Sequence, residues 1–141
     1  MSSNARKFAR LSPDQAPFAL VDMGGGSSYI TPSGVVPFDN VVDSNGSHFN
    51  TTNYRFTCPV AGIYSISFSV LSQNGSDAFH VNVRSNGSNF ARSYVVYRAN
   101  KATIEKKFAA NDYIDFAIDS VNVYPNTGVD RYSWASFRLV G

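Results

Sequence analysis

The stretch Arg55-Phe-Thr-Cys-Pro-Val-Ala-Gly-Ile-Tyr-Ser-Ile-Ser-Phe-Ser-Val70 contains the clearest structural signal in the chain. From Ile63 onward serine alternates with apolar residues, which places Tyr64, Ile66 and Phe68 on one face of a predicted strand and serines on the other. Such a strand packs on one side only, and its aromatic face must be covered. The pattern does not say whether a second sheet or a neighbouring subunit covers it.

The flanking sequence repeats this organisation of short strands separated by turns. Asn-Gly pairs, which favour tight turns, begin at Asn45, Asn74 and Asn86. We predict an all-β fold, a two-sheet antiparallel sandwich of about ten strands, with no helix. Besides 63–70, the predicted strands are 18–21, 35–42, 54–58, 78–84, 94–97, 103–108, 113–118 and 134–140.

Composition agrees with this prediction. The 141 residues include 11 Phe, 8 Tyr and 1 Trp, which favour strands, but only four Leu and one Glu. This argues against a helical bundle and against an α/β enzyme with long crossover helices.

Charge and hydropathy limit the partners. The net charge is +2, and Arg6, Lys7 and Arg10 supply three of the twelve basic residues. The rest of the chain is nearly neutral, so we expect no nucleic-acid partner. No run approaches the 18 apolar residues of a membrane span, so we expect no membrane insertion. No signal peptide is evident, so we expect the protein to be made in the cytoplasm of the host cell.

The domain organisation follows from the same reading. We predict an extended N-terminal arm with a glycine hinge over 1–26, and one β domain, the head, over 27–141. The basic, partly apolar start of the arm is a candidate anchor for a partner surface; its residues are Arg6, Lys7, Phe8 and Arg10.

A family resemblance rests on the spacing of aromatic residues and glycine. Phe38, Phe49, Phe56, Gly62 and the strand that follows resemble the signature of the globular head of complement component one, subcomponent q, a family that shares its jelly roll with the tumour necrosis factor ligands. Two positions depart from the signature: Asn45 falls one place late, and Ile66 replaces an aromatic residue.

Later segments extend the resemblance to about residues 35–141. The segment 81–87 resembles the family's central strand and Asn-Gly turn, and 134–139 resembles its closing strand. The segment 108–114 resembles its Gly-Asp turn, with Asn111 in place of glycine.

The resemblance implies a ten-stranded jelly roll that forms a homotrimer. We expect the aromatic ladder from Phe38 to Phe68 to leave apolar surface that one protomer cannot hide, so that some aromatic residues lie between subunits. The candidates for core or trimer interface are Tyr64, Ile66, Phe68, Phe116, Trp134 and Phe137.

No catalytic, cofactor or metal-site motif stands out. Cys58 lies in the family-like block, where a small buried side chain is expected, and the two histidines lack ligands at metal-binding spacing. We therefore expect no enzyme activity and no cofactor. The sequence leaves calcium binding open, because aspartates in loops can bind this ion and some relatives of this fold do so.

We predict a non-enzymatic structural or adhesive protein of a virus particle, such as a capsid decoration protein or a head or tail fibre knob of a bacteriophage, anchored by its N-terminal arm. Its expected location is the virion, and its expected partners are other virion proteins and host-surface glycans. The alternative is a soluble trimeric recognition protein outside a virus, such as a lectin or pattern-binding head.

Overall fold

The fold is an all-β sandwich, as predicted. The computed structural model describes residues 15–24, 29–32, 34–74, 77–119, 121–125 and 131–141, and these ranges contain strands and no helix. The strands are β1 (Phe18–Asp22), β2 (Asn40–Asn45), β3 (Phe49–Asn50), β4 (Arg55–Thr57), β5 (Gly62–Leu71), β6 (Phe79–Ser85), β7 (Ser88–Val95), β8 (Ala99–Phe108), β9 (Tyr113–Ile118) and β10 (Trp134–Leu139).

The strands form two five-stranded antiparallel sheets. The first has the order β2-β1-β10-β5-β8, and the second has the order β3-β4-β9-β6-β7. The chain crosses from one sheet to the other several times, for example from β4 to β5 and from β5 to β6. Two stacked antiparallel sheets with such crossings match the predicted jelly roll.

Aromatic side chains from both sheets fill the core. Phe56 of β4 stacks on Phe137 of β10, with ring centroids 4.7 Å apart, and Phe116 of β9 packs on Phe68 of β5 at 5.1 Å. Tyr64 packs edge-on against Phe56 at 5.9 Å. The inward faces of the two sheets therefore interdigitate as one layer.

This packing overturns one prediction. We expected the aromatic ladder to leave apolar surface for a neighbouring subunit, but Phe38, Phe56, Tyr64 and Phe68 are at most 1% exposed within a single chain. Phe49 packs at the margin of the same core. The opposite sheet supplies the cover, so the ladder is not an argument for association.

The first strand belongs to the sandwich and not to an arm. β1 lies between β2 and β10 and is hydrogen-bonded to both, and Ala19, Val21 and Met23 are fully buried. The predicted boundary after residue 26 therefore falls too late in the chain. The strand predicted over 18–21 is thus present as β1, but cross-strand pairing places it in the sandwich.

Several other strands begin or end elsewhere than predicted; β8, for example, begins at Ala99 and not at residue 103. β7 occupies Ser88–Val95, so Val96 and Tyr97 lie in the turn to β8 and not in a strand. The edge strand predicted over 35–42 is regular only from Asn40 onward. Before that point Val36 donates its N–H to the carbonyl of Phe116, and Pro37 has no N–H with which to continue a ladder.

The strand directions define two ends of the sandwich. Ile63, at the start of β5, lies beside Gly141 and donates its N–H to that residue's carbonyl. Phe18 pairs with Arg138 at this same end, which we call the base. Leu71, at the far end of β5, lies about 26 Å away, at roughly 3.3 Å per residue. We call that far end the tip.

Candidate assembly and recognition surfaces

The six residues predicted as core or interface separate into two groups. Five of them are core residues, at most 1% exposed: Tyr64, Ile66, Phe68, Phe116 and Phe137. Trp134 is half-buried, and its position in β10 directs it to the outer face of the first sheet, opposite the buried Ala135 and Phe137. Trp134 is thus the candidate that an assembly surface can use.

The middle of the outer face of the first sheet carries small hydroxyl side chains, and the exposed Lys101, Glu105 and Arg138 lie on the same face in the adjoining rows. Cross-strand partners share a face in an antiparallel sheet, and the register aligns Ser136 of β10, Ser67 of β5 and Thr103 of β8 in one row. The Ser67 and Thr103 hydroxyls are 3.0 Å apart. We call this surface the serine face; its small members are Ser65, Ser67, Ser69, Thr103 and Ser136.

Apolar side chains border the serine face on one side. Leu20 continues the central row onto β1, while Phe18 and Trp134 occupy the neighbouring rows. All three are half-buried. Small central side chains allow another backbone to approach closely, and the apolar border gives that approach a hydrophobic contribution.

The outer face of the second sheet is different, because a charged network covers it. Asp115, only 1% exposed, accepts two hydrogen bonds of 2.7 Å from the Arg84 guanidinium, which raises the pKa of Arg84. Arg55 lies 3.5 Å from the same carboxylate and stacks over Tyr113 at 4.0 Å. A partner that covered this face would have to desolvate these arginines, so it is the less suitable assembly surface.

A cluster of tyrosines occupies the tip. We call it the tyrosine end, formed by Tyr29, Tyr94, Tyr97, Tyr124 and Tyr132. Tyr97 is 74% exposed, whereas Tyr29 and Tyr132 are 38% and 37% exposed. Tyr94 stacks on His80, which contacts Asp119 at 3.0 Å. Aromatic side chains at this level of exposure are typical of binding surfaces.

Tyr124 lies at the centre of the tyrosine end. Its ring packs against Tyr29 at 4.4 Å and Tyr132 at 5.5 Å. Its N–H donates to the Leu71 carbonyl, and its carbonyl accepts from the Ser133 hydroxyl at 2.7 Å. The first bond joins Tyr124 to the end of β5, and the second joins it to the residue before β10.

An open pocket of about 320 Å³ lies beside Tyr124, lined by Leu71, Arg98, Tyr124 and Tyr132. The Arg98 guanidinium lies over the Tyr124 ring at 5.2 Å, and its Nε donates to the Ser72 carbonyl at 3.2 Å. The pocket therefore combines two aromatic walls with one cation.

Sequence reasoning missed this pocket. Arg98, Tyr124 and Tyr132 are not among the candidate residues predicted from the sequence. These residues lie up to 61 positions from Leu71 in the sequence. The available signal was their placement in segments without strand alternation, where tyrosine has no core face to fill.

The reactive and metal-binding types of side chain do not form a catalytic arrangement in the part of the chain that the structure describes. The pKa of the Cys58 thiol is raised to about 12, mainly by burial, and this keeps the thiol protonated and unreactive at neutral pH. No three His, Cys, Asp or Glu side chains among the described residues are grouped to hold a metal ion. Calcium binding remains an untested prediction. No described helix is long and apolar enough to cross a membrane.

The predicted anchor lies outside the described residues. This applies to Arg6, Lys7, Phe8 and Arg10, and also to Gly25 and Gly26 of the predicted hinge. Gly24 is described, and its N–H donates to the Asp39 carboxylate at 2.6 Å.

The family model of the C1q domain matches residues 24–112, more than half of the chain. The chain belongs to the C1q domain family. The match includes Phe38, Gly62 and the rest of the aromatic signature from which the resemblance was inferred.

Solved structures with the same fold include members of both predicted groups. The globular domain of zebrafish complement 1qA superposes on this C1q domain with a TM-score of 0.65 at 15% identity, covering 89% of this chain and 98% of that one. Murine APRIL gives 0.67 at 13% identity, with 89% and 99% covered. The Eiger TNF of S. frugiperda gives 0.62 at 8% identity, with 89% and 94% covered. At these identities the likeness shows the fold alone.

Proposed function

We propose that this C1q domain is a homotrimeric, non-enzymatic recognition head in which three copies pack through their serine faces. Domains of the C1q and TNF type are often trimeric recognition heads that bind receptors or other ligands. The observation that carries the proposal for this chain is the contrast between its two outer faces. The first has a centre of small hydroxyl side chains bordered by Phe18, Leu20 and Trp134, with Lys101, Glu105 and Arg138 in the adjoining rows. The second carries the arginine network around the buried Asp115, which is costly to desolvate.

The test is the solution mass of two matched variants. Ser67→Arg places a long cation at the centre of the serine face, and Ser88→Arg makes the same change at an exposed position of β7 on the second sheet. We expect a trimer by light scattering at micromolar concentration for the wild type and for Ser88→Arg, and a monomer for Ser67→Arg.

A monomeric wild type would contradict the proposal. A trimer that survives in Ser67→Arg, with an unchanged mass and a normal circular dichroism spectrum, would show that another surface forms the contact.

We further propose that the head belongs to a virus particle and is anchored there by its N-terminal arm. The direction of the chain supports this proposal. The chain enters β1 at the base, so the basic residues Arg6, Lys7 and Arg10 come before the base in the sequence, whereas the tyrosine end lies at the tip. A head attached at its base presents the tip outward to a ligand such as a host-surface glycan.

Deletion of residues 1–14 tests this anchor, because it leaves every described strand in place. We expect the shortened head to fold and trimerise but to be missing from particles purified from a producing culture. The full-length chain is the control, and it should co-purify with capsid proteins. Equal incorporation of both forms would exclude the arm as anchor.

The alternative is a soluble trimeric recognition protein outside a virus. The family membership and the tyrosine end suit this function equally well. Absence of the full-length chain from purified particles, together with ligand binding by the free trimer, would favour it.

A further inference from the structure

The pocket at the tyrosine end has a composition that suits one class of ligand. We infer that it binds a saccharide carrying a carboxylate, with Tyr124 and Tyr132 contacting the sugar ring and Arg98 binding the carboxylate. The inference rests on the proposed recognition function and names the ligand of that site.

The aromatic walls supply the ring contact. The face of an aromatic ring is electron-rich, so it attracts the weakly positive C–H groups on the flat side of a sugar ring. Tyrosine also has only two side-chain torsions, so that holding it in place costs little entropy. The Tyr124 ring is fixed between Tyr29 and Tyr132, and its main chain is bonded to the end of β5.

Arg98 supplies the charge preference. One of its nitrogens, Nε, is bonded to the Ser72 carbonyl, and the guanidinium is held over the Tyr124 ring. Arginine binds carboxylates through paired N–H donors, and an arginine already oriented loses little freedom on binding. The described lining of the pocket contains no acidic side chain to compete for it.

Neighbouring polar groups can recognise sugar hydroxyls. The Tyr29 hydroxyl donates to the Tyr124 hydroxyl at 2.6 Å, and the Asn122 amide donates to Gln73 at 2.8 Å. Gln73 lies two residues after Leu71, Asn122 lies two residues before Tyr124, and the Gln73 N–H donates to the Asn122 carbonyl. Hydroxyls and amides both donate and accept, as sugar hydroxyl groups require.

The placement of the pocket suits recognition from outside an assembly. It lies at the tip, about 26 Å along β5 from the base at which the chain enters the sheet.

The experiment measures saccharide binding to the full-length chain by calorimetry and saturation-transfer NMR. The probes are 3′-sialyllactose with lactose as its neutral match, and trigalacturonic acid with its methyl ester. The two acidic probes distinguish a sialic acid from a uronic acid as the source of the carboxylate. We expect saturable binding of at least one acidic probe, at least tenfold tighter than that of its neutral match.

Matched variants locate the site. We expect Tyr132→Ala and Arg98→Gln to weaken binding of the acidic probe at least tenfold. Tyr113→Ala changes a half-buried tyrosine on the outer face of the second sheet, and Arg92→Gln removes a charge from the same sheet. Both controls should remain within twofold of the wild type.

Three outcomes would overturn the inference: no saturable binding of either acidic probe, equal binding of an acidic probe and its neutral match, or equal losses in the pocket and control variants. Light scattering on the same samples separates the two proposals. A trimer that binds no acidic probe contradicts this inference alone, whereas a monomer that binds one contradicts the proposed assembly alone.

Discussion

Asn111 and Asp112 hold the turn between β8 and β9. Asn111 has a φ of 72°, in the left-handed region where asparagine is tolerated better than most residues, which explains how it replaces the glycine of the family motif. The Asp112 carboxylate accepts a hydrogen bond from the Ala109 N–H and another from the Asn86 amide, both at 2.8 Å. One side chain thus joins two turns at the base.

These two hydrogen bonds predict a pH-dependent contribution to stability. Both bonds lower the pKa of the Asp112 carboxyl, the bond from the Asn86 amide more than the bond from the Ala109 N–H. The ionised carboxylate therefore stabilises the fold at pH values above its unfolded pKa of about 3.9, and this stabilisation is lost as the pH falls through its folded pKa. We expect Asp112→Asn to unfold at lower urea than wild type at pH 7, with the difference narrowing below about pH 4. A difference that stays constant from pH 7 to pH 3 would contradict this account.

Tyr64 shows what burial contributes at a single position. Its side chain is fully buried, and its hydroxyl donates to the Val60 carbonyl at 2.8 Å. We expect Tyr64→Ala to lower the free energy of unfolding by about 3–5 kcal/mol because it leaves a cavity. Tyr64→Phe, which removes only the hydrogen bond, should lower it by about 1 kcal/mol. Chemical denaturation measures both, and similar losses would mean that the ring is not packed as described.

At the scale of the element, β5 organises the sandwich. It pairs with β10 on one side and β8 on the other, its apolar residues fill the core, and its serines form the centre of the serine face. Gly62 begins the strand where the C-terminal residue passes close by. A Cβ at this position would lie 2.6 Å from both the Gly141 carbonyl oxygen and the Leu139 side chain.

This close approach predicts the effect of adding one methyl group. We expect Gly62→Ala to push the C-terminal residues away and to lower the free energy of unfolding by about 1–3 kcal/mol, as overpacking does. Gly141→Ala is the matched control, because its Cβ would meet no atom closer than 3.9 Å. Equal denaturation midpoints for the two variants would show that the chain end yields without cost.

At the scale of the whole molecule, the distribution of surfaces separates the proposed roles. The serine face lies on one broad side, the arginine network covers the other, and the tyrosine end lies at the tip. The pocket beside Tyr124 begins at Leu71, where the outward column of serines in β5 ends. The proposed assembly and the proposed ligand binding rest on different residues, Ser67 and Trp134 for the first and Arg98 and Tyr132 for the second, so that each can be altered separately.

Association predicts that thermal stability depends on protein concentration, because a trimer that dissociates on unfolding is stabilised by mass action. We expect the wild-type Tm to rise with concentration, and Trp134→Ala to reduce this dependence, since Trp134 borders the serine face. Tyr113→Ala changes a half-buried aromatic residue on the other outer face, beneath Arg55, and should lower Tm without changing the dependence. Concentration-independent unfolding of the wild type would contradict trimer formation.

Features that depend on near neighbours in the chain could be predicted. Alternation in β5 gave the inward face of Tyr64 and Phe68, because side chains in any strand point alternately to opposite sides. The Asn86-Gly87 turn followed from local backbone preference, and both residues have positive φ. The family signature, also confined to a short stretch, indicated the jelly roll.

Features that depend on distant parts of the chain could not. β1 became an inner strand only because β2 and β10 flank it, and the aromatic ladder was enclosed only because the second sheet lies opposite. Arg98 met Tyr124 and Tyr132 through the meeting of separate loops at the tip. The residue pattern of a strand indicates which of its faces is buried. The residues that cover this face come from distant segments, which are brought there only when loops close across the complete fold.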